Sequence, residues 1–213
     1  MDGSITGNGR GTTAAGGILT TAMTPTVLCV SGSAKMATSA SRSLVDAGAA
    51  LIRPHVSVTV LDLATQPLPH YAGYLPQDHP DESVRELKGL VEQADALVLG
   101  IPCYWGMPAG TLINFIDLVC GPTYDLERPD TAFTGTGIGV LLVGADDTSA
   151  EQAIGPVTTM VKALGASVVG EPLLVANPRG GLKPNLTQEL NRLFLTVAQH
   201  AVRARIARSR DDH

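Results

Sequence analysis

Residues 26–41 read TVLCVSGSAKMATSAS, and this stretch decides the fold class. Its first six residues are largely apolar and include β-branched side chains, as in a strand that is buried on both faces. Small and hydroxylated residues follow, and a helical pattern then begins, with its first apolar turn near Leu44. A buried strand that turns through small residues into a helix is typical of an α/β protein.

Four more apolar runs follow the first, at residues 56–61, 96–101, 138–143 and 166–175. Helical periodicity separates these runs, and a last helix is predicted over about residues 186 to 208. Five strands that alternate with five helices predict a doubly wound parallel sheet with helices on both faces. The element count favours the flavodoxin-like strand order 2-1-3-4-5, because the six-stranded dinucleotide fold needs one more strand.

The chain divides into one domain and two tails. Residues 1–24 are mostly Gly, Thr, Ser and Ala without an apolar period, so we expect a flexible tail. Residues 25–208 are predicted to form a single domain, and residues 209–213 a short C-terminal tail.

Composition excludes several classes of protein. A net charge of −5 over 213 residues argues against a dedicated nucleic-acid binder, which usually carries a basic stripe. Cys29, Cys103 and Cys120 form no C-x-x-C pair, so we expect a reduced, cytoplasmic protein without a structural metal. No apolar run reaches the roughly 18 residues of a membrane helix, so no membrane segment is expected.

In such a sheet, ligands bind at the carboxyl ends of the strands, which directs attention to three loops. The loop after the first strand combines a glycine, Lys35 and five hydroxyl groups, which suits a phosphate bound at the start of a helix. The alternative is an ordinary capped turn, in which Ser and Thr are also common.

The loops after the third and fourth strands are weaker signals. Residues 102–110 contain two prolines and two glycines that predict a tight, extended backbone, with Tyr104 and Trp105 offering flat surfaces. The small residues Gly144 and Ala145 would let the backbone approach a ring closely. Both loops also fit structural explanations: core or oligomer contacts for the aromatics, and a helix cap at Ser149 for the second loop.

Two motifs carry a resemblance to a known family. The first is Ser31-Gly-Ser-x-Lys-x-x-Thr, and the second is Pro102-x-Tyr104-x-Gly106-x-x-x-Gly110-x-Leu112-x-Asn114-x-x-Asp117. Over about residues 26–175 the chain resembles the NAD(P)H-dependent FMN reductases. Other flavodoxin-like reductases, of quinones, azo dyes and chromate, share both motifs.

The resemblance implies non-covalently bound FMN, with NADPH or NADH as hydride donor. It assigns the phosphate to Ser33, Lys35, Thr38, Ser39 and Ala40. It assigns the isoalloxazine ring to Pro102, Cys103, Tyr104, Trp105 and Gly106, with Gly144 and Ala145 at the other edge. No catalytic side chain and no metal ligand are expected, because the cofactors themselves carry the hydride transfer.

Three departures from the family pattern stand out. Lys35 replaces the usual Arg and supplies a point charge in place of a bidentate fork. Ala40 replaces an Asn or Ser, so only its backbone N–H can contact a phosphate. The connection over residues 120–135 is long, which suits either a lid over the flavin or a dimer arm.

Two classes of function fit these features. The first is a flavin reductase that delivers electrons to free flavin for a partner monooxygenase, or to a small quinone-like or aromatic acceptor. The second is a non-enzymatic flavodoxin-type electron carrier or FMN-binding assembly module, and the Tyr and Pro pattern favours the first.

Two side chains of the loop after the third strand each have two possible roles. Cys103 fits the role of a small buried apolar residue better than that of a redox thiol, because no second cysteine is near in sequence. Trp105 has two possible roles: it could stack on nicotinamide or on an acceptor, or it could pack against a neighbouring subunit.

The helix over residues 110–119 is apolar on more than one face, which predicts a homodimer or homotetramer unless the same chain covers it.

Deletion of residues 1–24 should leave the melting temperature and the flavin content unchanged, because this segment has no apolar period with which to join a core. Thermal unfolding and flavin absorbance of the full-length and shortened proteins give the comparison. A large drop in either quantity would mean that the segment packs onto the domain or onto a neighbour.

Overall fold

The computed structural model describes residues 24–36, 38–123, 126, 130–176 and 185–211. The predicted N-terminal tail therefore lies outside the described residues, except for Thr24. Seven described strands form one sheet: β1 (Thr26–Ser31), β2 (Ser57–Asp62), β3 (Ala96–Tyr104), β4 (Met107–Pro108), β5 (Gly137–Gly144), β6 (Ser167–Val168) and β7 (Leu173–Ala176). Five described α-helices cover it: α1 (Ala40–Ile52), α2 (Glu82–Gln93), α3 (Gly110–Cys120), α4 (Asp147–Ala163) and α5 (Leu186–Asp211). A short 3₁₀ helix (Pro76–Asp78) precedes α2.

The sheet has the order β2-β1-β3-β5-β6, and β7 also pairs with β5. These pairings are all parallel, whereas the two-residue strand β4 pairs antiparallel with β3. The predicted order 2-1-3-4-5 is confirmed: β5 is the fourth predicted strand, and β6 and β7 together replace the fifth.

Three boundaries differ from the prediction. Strand β3 continues to Tyr104 and turns back as β4, so the region predicted as an extended loop is a hairpin. The run predicted over residues 166–175 is interrupted by a turn at Gly170, whose φ is 73°. Helix α5 continues to Asp211, so the predicted C-terminal tail begins as helix, with Arg208 and Arg210 in a last turn where cations are favourable.

Alternate residues of β1 pack into two cores, one on each face of the sheet. Leu28 and Val30 join the core beneath α2, α3 and α4, whereas Val27 and Cys29 join the core beneath α1 and α5. Both faces are apolar because helices cover both, as a parallel sheet requires. No helix in the described part of the chain is long and apolar enough to cross a membrane.

Helix α3 has the two-sided apolar character that the sequence predicts. Its side chains Leu112, Phe115, Leu118 and Val119 are all buried within the chain itself. The same chain therefore covers this helix, and α3 gives no support to an oligomer. A homodimer or homotetramer stays a prediction.

The described end of the connection over residues 120–135 packs into the core. Phe133 is fully buried, the Thr131 hydroxyl donates to the Leu164 carbonyl (2.6 Å), and the Gly135 N–H donates to the Gly165 carbonyl (2.9 Å). These residues directly precede β5 and so lie at the amino end of the sheet. A lid over the opposite, carboxyl end is not formed by residues 130–135, and part of the rest lies outside the described residues.

A buried carboxylate joins the first strand to the last helix. Asp95 has a fully buried side chain that accepts hydrogen bonds from the Thr26 N–H (2.8 Å) and from Arg205 Nε (3.0 Å). Arg208 Nη1 lies 3.3 Å from its second oxygen. Each oxygen of this carboxylate is thus paired, which a buried charge requires.

We expect Asp95→Ala to lower the free energy of unfolding by about 1.5–3 kcal/mol, because the Thr26 N–H and Arg205 lose their charged partner and Arg208 keeps only the Ala94 carbonyl. Urea unfolding measures the loss. Glu92→Ala is the control, since it removes the exposed Lys88–Glu92 pair and should cost less than about 1 kcal/mol. Equal losses in the two variants would show that the Asp95 contacts contribute little.

Candidate functional site

The three loops singled out in the sequence meet at one edge of the sheet. Ser31 of β1 is in register with Gly100 of β3, and Cys103 of β3 is in register with Gly144 of β5. The loops that follow these three neighbouring strands are therefore adjacent. The structure thus brings together the predicted phosphate residues, the predicted ring residues and Gly144–Ala145.

The loop after β1 is tied to the sheet at its start and is open further on. The Gly32 N–H donates to the Gly100 carbonyl (2.8 Å), and the Lys35 N–H donates to the buried Ser33 hydroxyl (3.0 Å). Four other backbone N–H groups of this stretch donate a hydrogen bond to none of the described residues, and we call them free N–H groups. They belong to Ser33, Ala34, Met36 and Thr38.

Helix α1 begins directly behind these free N–H groups. Ser39 caps the helix, because its Oγ accepts a hydrogen bond from the Arg42 N–H (3.2 Å) and lies 3.0 Å from Ser41 Oγ. The N–H groups of Ala40 and Ser41, in the first turn, have no carbonyl partner within the helix. Free N–H groups and the positive end of a helix form a binding site for an anion.

Buried polar side chains gather at the same place. Of the eight buried polar residues in the described chain, five lie at the end of β1, in the loop that follows it, in the first turn of α1 or at the adjacent end of β2: Ser31, Ser33, Ser39, Ser41 and Asp62. The Ser31 hydroxyl has no hydrogen-bond partner among the described residues. A buried hydroxyl without a partner is costly, so this position fits a polar ligand. Ser31 belongs to the quoted motif but is absent from the predicted site residues.

The two remaining predicted phosphate residues, Lys35 and Thr38, are exposed. Arg42 is a nearby cation that the sequence reasoning missed, although its spacing to Asp46 is the i,i+4 pattern of a helical ion pair. Its guanidinium lies 2.6 Å from Asp46 and 2.6 Å from the nearly buried Asp62, and these contacts raise its pKa. Because Arg42 is already paired with two carboxylates, Lys35 is the positive charge of this loop that can face an anion.

A cavity of about 280 Å³ lies beside this ion pair, on the β2 side of the loop. Its lining is polar apart from one methionine: Met36, Ser39, Arg42, Ser43, Asp46, Asp62 and Thr65. Because Ser39 lines this cavity, a slightly larger side chain would fit at position 39.

The loop after β3 is a β-hairpin. Pro102, Cys103 and Tyr104 are its first strand, and Trp105 and Gly106 form the turn, with φ values of 52° and 74°. Positive φ at both turn residues is what a type I′ hairpin turn requires, and it costs a residue with a Cβ roughly 1–2 kcal/mol. A Cβ at Gly106 would lie 2.8 Å from the Gln152 side chain, so the turn is seated against α4.

The side chains of this hairpin point to different surroundings. Trp105 is 93% exposed and Tyr104 is 38% exposed, whereas Cys103 is buried and its thiol donates to the Ile101 carbonyl (3.4 Å). Burial raises the pKa of Cys103 to about 11. The thiol is therefore protonated at neutral pH, which agrees with a buried apolar role and disfavours a redox role.

The loop after β5 is shaped by the helix that follows it. A Cβ at Gly144 would lie 2.6 Å from the Asp146 carbonyl oxygen and 2.9 Å from the Ala150 nitrogen, so α4 itself requires a glycine here. Asp146 is the helix cap and accepts a hydrogen bond from the Ser149 N–H (2.7 Å), which lowers the pKa of its carboxyl. The alternative explanation of this loop, a helix cap at Ser149, names the wrong residue: the cap is Asp146, and Ser149 donates its N–H to it.

The sequence profile described as NADPH-dependent FMN reductase matches residues 25–179. The chain belongs to the NADPH-dependent FMN reductase family. It is accordingly an oxidoreductase of a family whose activity implies a flavin and a nicotinamide donor. No curated protein sequence matches it.

Solved structures show the same fold. The reductase superimposes on an apo NADH:FMN oxidoreductase (EMOB) with a TM-score of 0.65 and 16% identity, over 83% of this chain and 89% of that one. The flavoenzyme NAD(P)H:acceptor oxidoreductase FerB from Paracoccus denitrificans gives a TM-score of 0.64 and 19% identity, over 84% and 98%. A flavodoxin from the domain Archaea gives a TM-score of 0.55 and 16% identity, over 83% and 98%.

One residue of the reductase motif has a structural role that its spacing did not reveal. The Asn114 side chain accepts a hydrogen bond from the Tyr71 N–H (2.9 Å) and donates one to the Pro69 carbonyl (2.9 Å). It therefore fastens the segment after β2 to the first half of α3, more than 40 residues away in sequence. Asn114 was quoted in the motif, but only the folded chain shows what its amide holds.

We expect iodoacetamide at pH 8 to leave Cys103 of the native reductase unmodified, because the reactive thiolate is scarce well below its pKa of about 11. Cys29 and Cys120 should also resist, since burial raises the pKa of each to about 12. Peptide mass spectrometry measures the modification, and urea-unfolded protein, alkylated at all three cysteines, is the control. Rapid alkylation of native Cys103 would contradict its buried placement.

Proposed function

We propose that this reductase binds FMN non-covalently at the carboxyl edge of its sheet and reduces it with NADPH or NADH. The electrons then pass to free flavin, for a partner monooxygenase, or to a small quinone-like or aromatic acceptor. The observation that supports the proposal best is the group of free N–H donors and buried hydroxyls at the start of α1, beside the hairpin.

The phosphate fits the α1 end of the site. Free N–H groups around Ser33 and Ala34, and those of the first turn of α1, would donate to its oxygens, and Lys35 would add one positive charge. The hydroxyls of Ser33, Thr38 and Ser39 are within the same loop, and Ala40 would contribute its N–H only. Ser31, which lacks a partner among the described residues, would gain one from the flavin.

The ring fits the hairpin end of the site. Residues 102–106 would line one side of it, and Gly144 and Ala145 its other edge, with Cys103 contributing backbone and not its buried thiol. Bound FMN would supply the chemistry, because its ring accepts a hydride and passes on two electrons. The chain's own contribution is to fix the position of the ring and to present a rigid edge to the second substrate.

A non-enzymatic electron carrier is the alternative that the fold alone leaves open, since a flavodoxin has the same fold. The family profile supports the reductase instead. Anaerobic addition of NADPH or NADH to the FMN-loaded protein separates the two: a reductase loses its flavin absorbance without a partner protein, and a carrier does not.

We expect Ser39→Asp to weaken FMN binding about a hundredfold or more, because it sets a carboxylate against the phosphate. Asp is as good a helix cap as Ser, so the fold should be retained. Riboflavin, which has no phosphate, should bind both proteins equally. Titration of the apo-protein by flavin fluorescence quenching gives the affinities.

Ser39→Asn is the matched control, since it has nearly the same shape and caps the helix without a charge. Its FMN affinity should stay within a few-fold of the wild type. Equal losses of FMN and riboflavin in Ser39→Asp would mean that position 39 acts through folding. No loss of either would place the phosphate elsewhere and overturn the proposed site.

A further inference from the structure

Trp105 is the most unusual exposed residue of the molecule. It is the single tryptophan of the sequence, and its 93% exposure is the largest of any bulky apolar side chain in the described chain. It also has the one positive φ among described residues other than glycine, at 52°. Glycine or asparagine would make this turn with less strain.

The indole gains little from its own chain. The ring centroid of Tyr104 lies 6.2 Å away at a tilt of 53°, which is a loose contact and not a stacked pair. A strained backbone that holds a large ring in solvent is a pattern found at functional sites.

The hairpin that carries the indole is nonetheless fixed. Gly106 is seated against Gln152 of α4, and the Ala109 N–H donates to the Pro102 carbonyl (2.9 Å) just behind the turn. Tyr104 and Met107 face each other across the hairpin and are 38% and 55% exposed. The tip is therefore a rigid, apolar surface at the edge where the flavin is proposed to bind.

We propose that the Trp105 indole is a specificity-determining wall of the second-substrate subsite and stacks on a planar ring of that substrate. The flat indole face attracts such a ring by dispersion and by the charge distribution of its π system, whether the ring is the nicotinamide of NADP(H) or a quinone. The inference rests on the proposed function, because it needs a flavin beside the hairpin. It adds the side chain that selects what approaches the flavin.

The single tryptophan reports on this site directly. Titration of the full-length protein with NADP⁺, and separately with a water-soluble benzoquinone, should quench its indole emission along a saturating curve for at least one of them. N-acetyltryptophanamide under the same conditions gives the collisional baseline, which is linear. A linear response of the protein to both compounds, equal to the baseline, would overturn the proposal.

Steady-state kinetics separate stacking from a structural role. Trp105→Gly should raise KM about three- to tenfold for the compound that saturates the fluorescence, with kcat little changed. Trp105→Phe, which keeps a ring, should restore most of the affinity. A rise in KM for NADPH would identify the nicotinamide as the stacked ring, and a rise for the quinone would identify the acceptor.

The stability of Trp105→Gly against urea separates stacking from a structural role, because loss of a structural side chain would lower that stability. Trp105→Gly should unfold at the same or higher urea concentration, because glycine adopts the positive φ without strain. Val202→Ala, at another exposed apolar position on α5, should change neither KM. Loss of stability in Trp105→Gly, or a smaller particle by light scattering, would overturn the proposal in favour of a packing or self-association role.

Failure of this inference is distinguishable from failure of the proposed function. If the wild type takes up FMN and oxidises NADPH, and Trp105→Gly has the same KM values, the stacking role alone is wrong. If the wild type takes up no FMN, the proposed function fails and the stacking role fails with it.

Discussion

Strand β3 is paired on both sides, and the rest of the molecule depends on that pairing. It is hydrogen-bonded to β1 along one edge and to β5 along the other, and its residues from Ala96 to Cys103 are buried. No water reaches these backbone groups, so each must find its partner in a neighbouring strand. A slip of one residue would bring a larger side chain to the place of Gly100, where a Cβ would lie 2.4 Å from the Val45 side chain, so packing fixes the register. Because the register is fixed, the three loops that follow the strands can only meet at one edge.

The fold was predictable from the sequence to the extent that it depends on local apolar patterns. The central strands appear in the sequence as continuous apolar runs. The number of these runs, and their alternation with helical segments, was enough to predict the strand order. The hairpin was not predictable, because its turn places a tryptophan at a positive φ, against local preference. The Asp95 contacts with Arg205 and Arg208 were equally hidden, since they join residues more than 100 positions apart.

The candidate site was predictable as a set of loops, but not as a set of contacts. Ser39 was open to two explanations, a helix cap or a phosphate ligand, and the structure shows that the first does not exclude the second. Its side-chain oxygen receives the Arg42 N–H, while the N–H groups before and after it stay available. The same holds for Gly144, which α4 requires whether or not a ring lies above it. A ligand bound there as proposed would meet these two described groups already in place, so they would need little ordering on binding.

The carboxylate of Asp95 also decides where the two described ends of the domain emerge. Thr26 and Arg208 both contact it, so the first strand begins and the last helix finishes at the amino pole of the sheet. The three loops of the candidate site occupy the opposite pole. A linker, an affinity handle or a solid support attached next to either residue therefore projects away from the candidate site, and the domain can be tethered through either end with that site facing the solution.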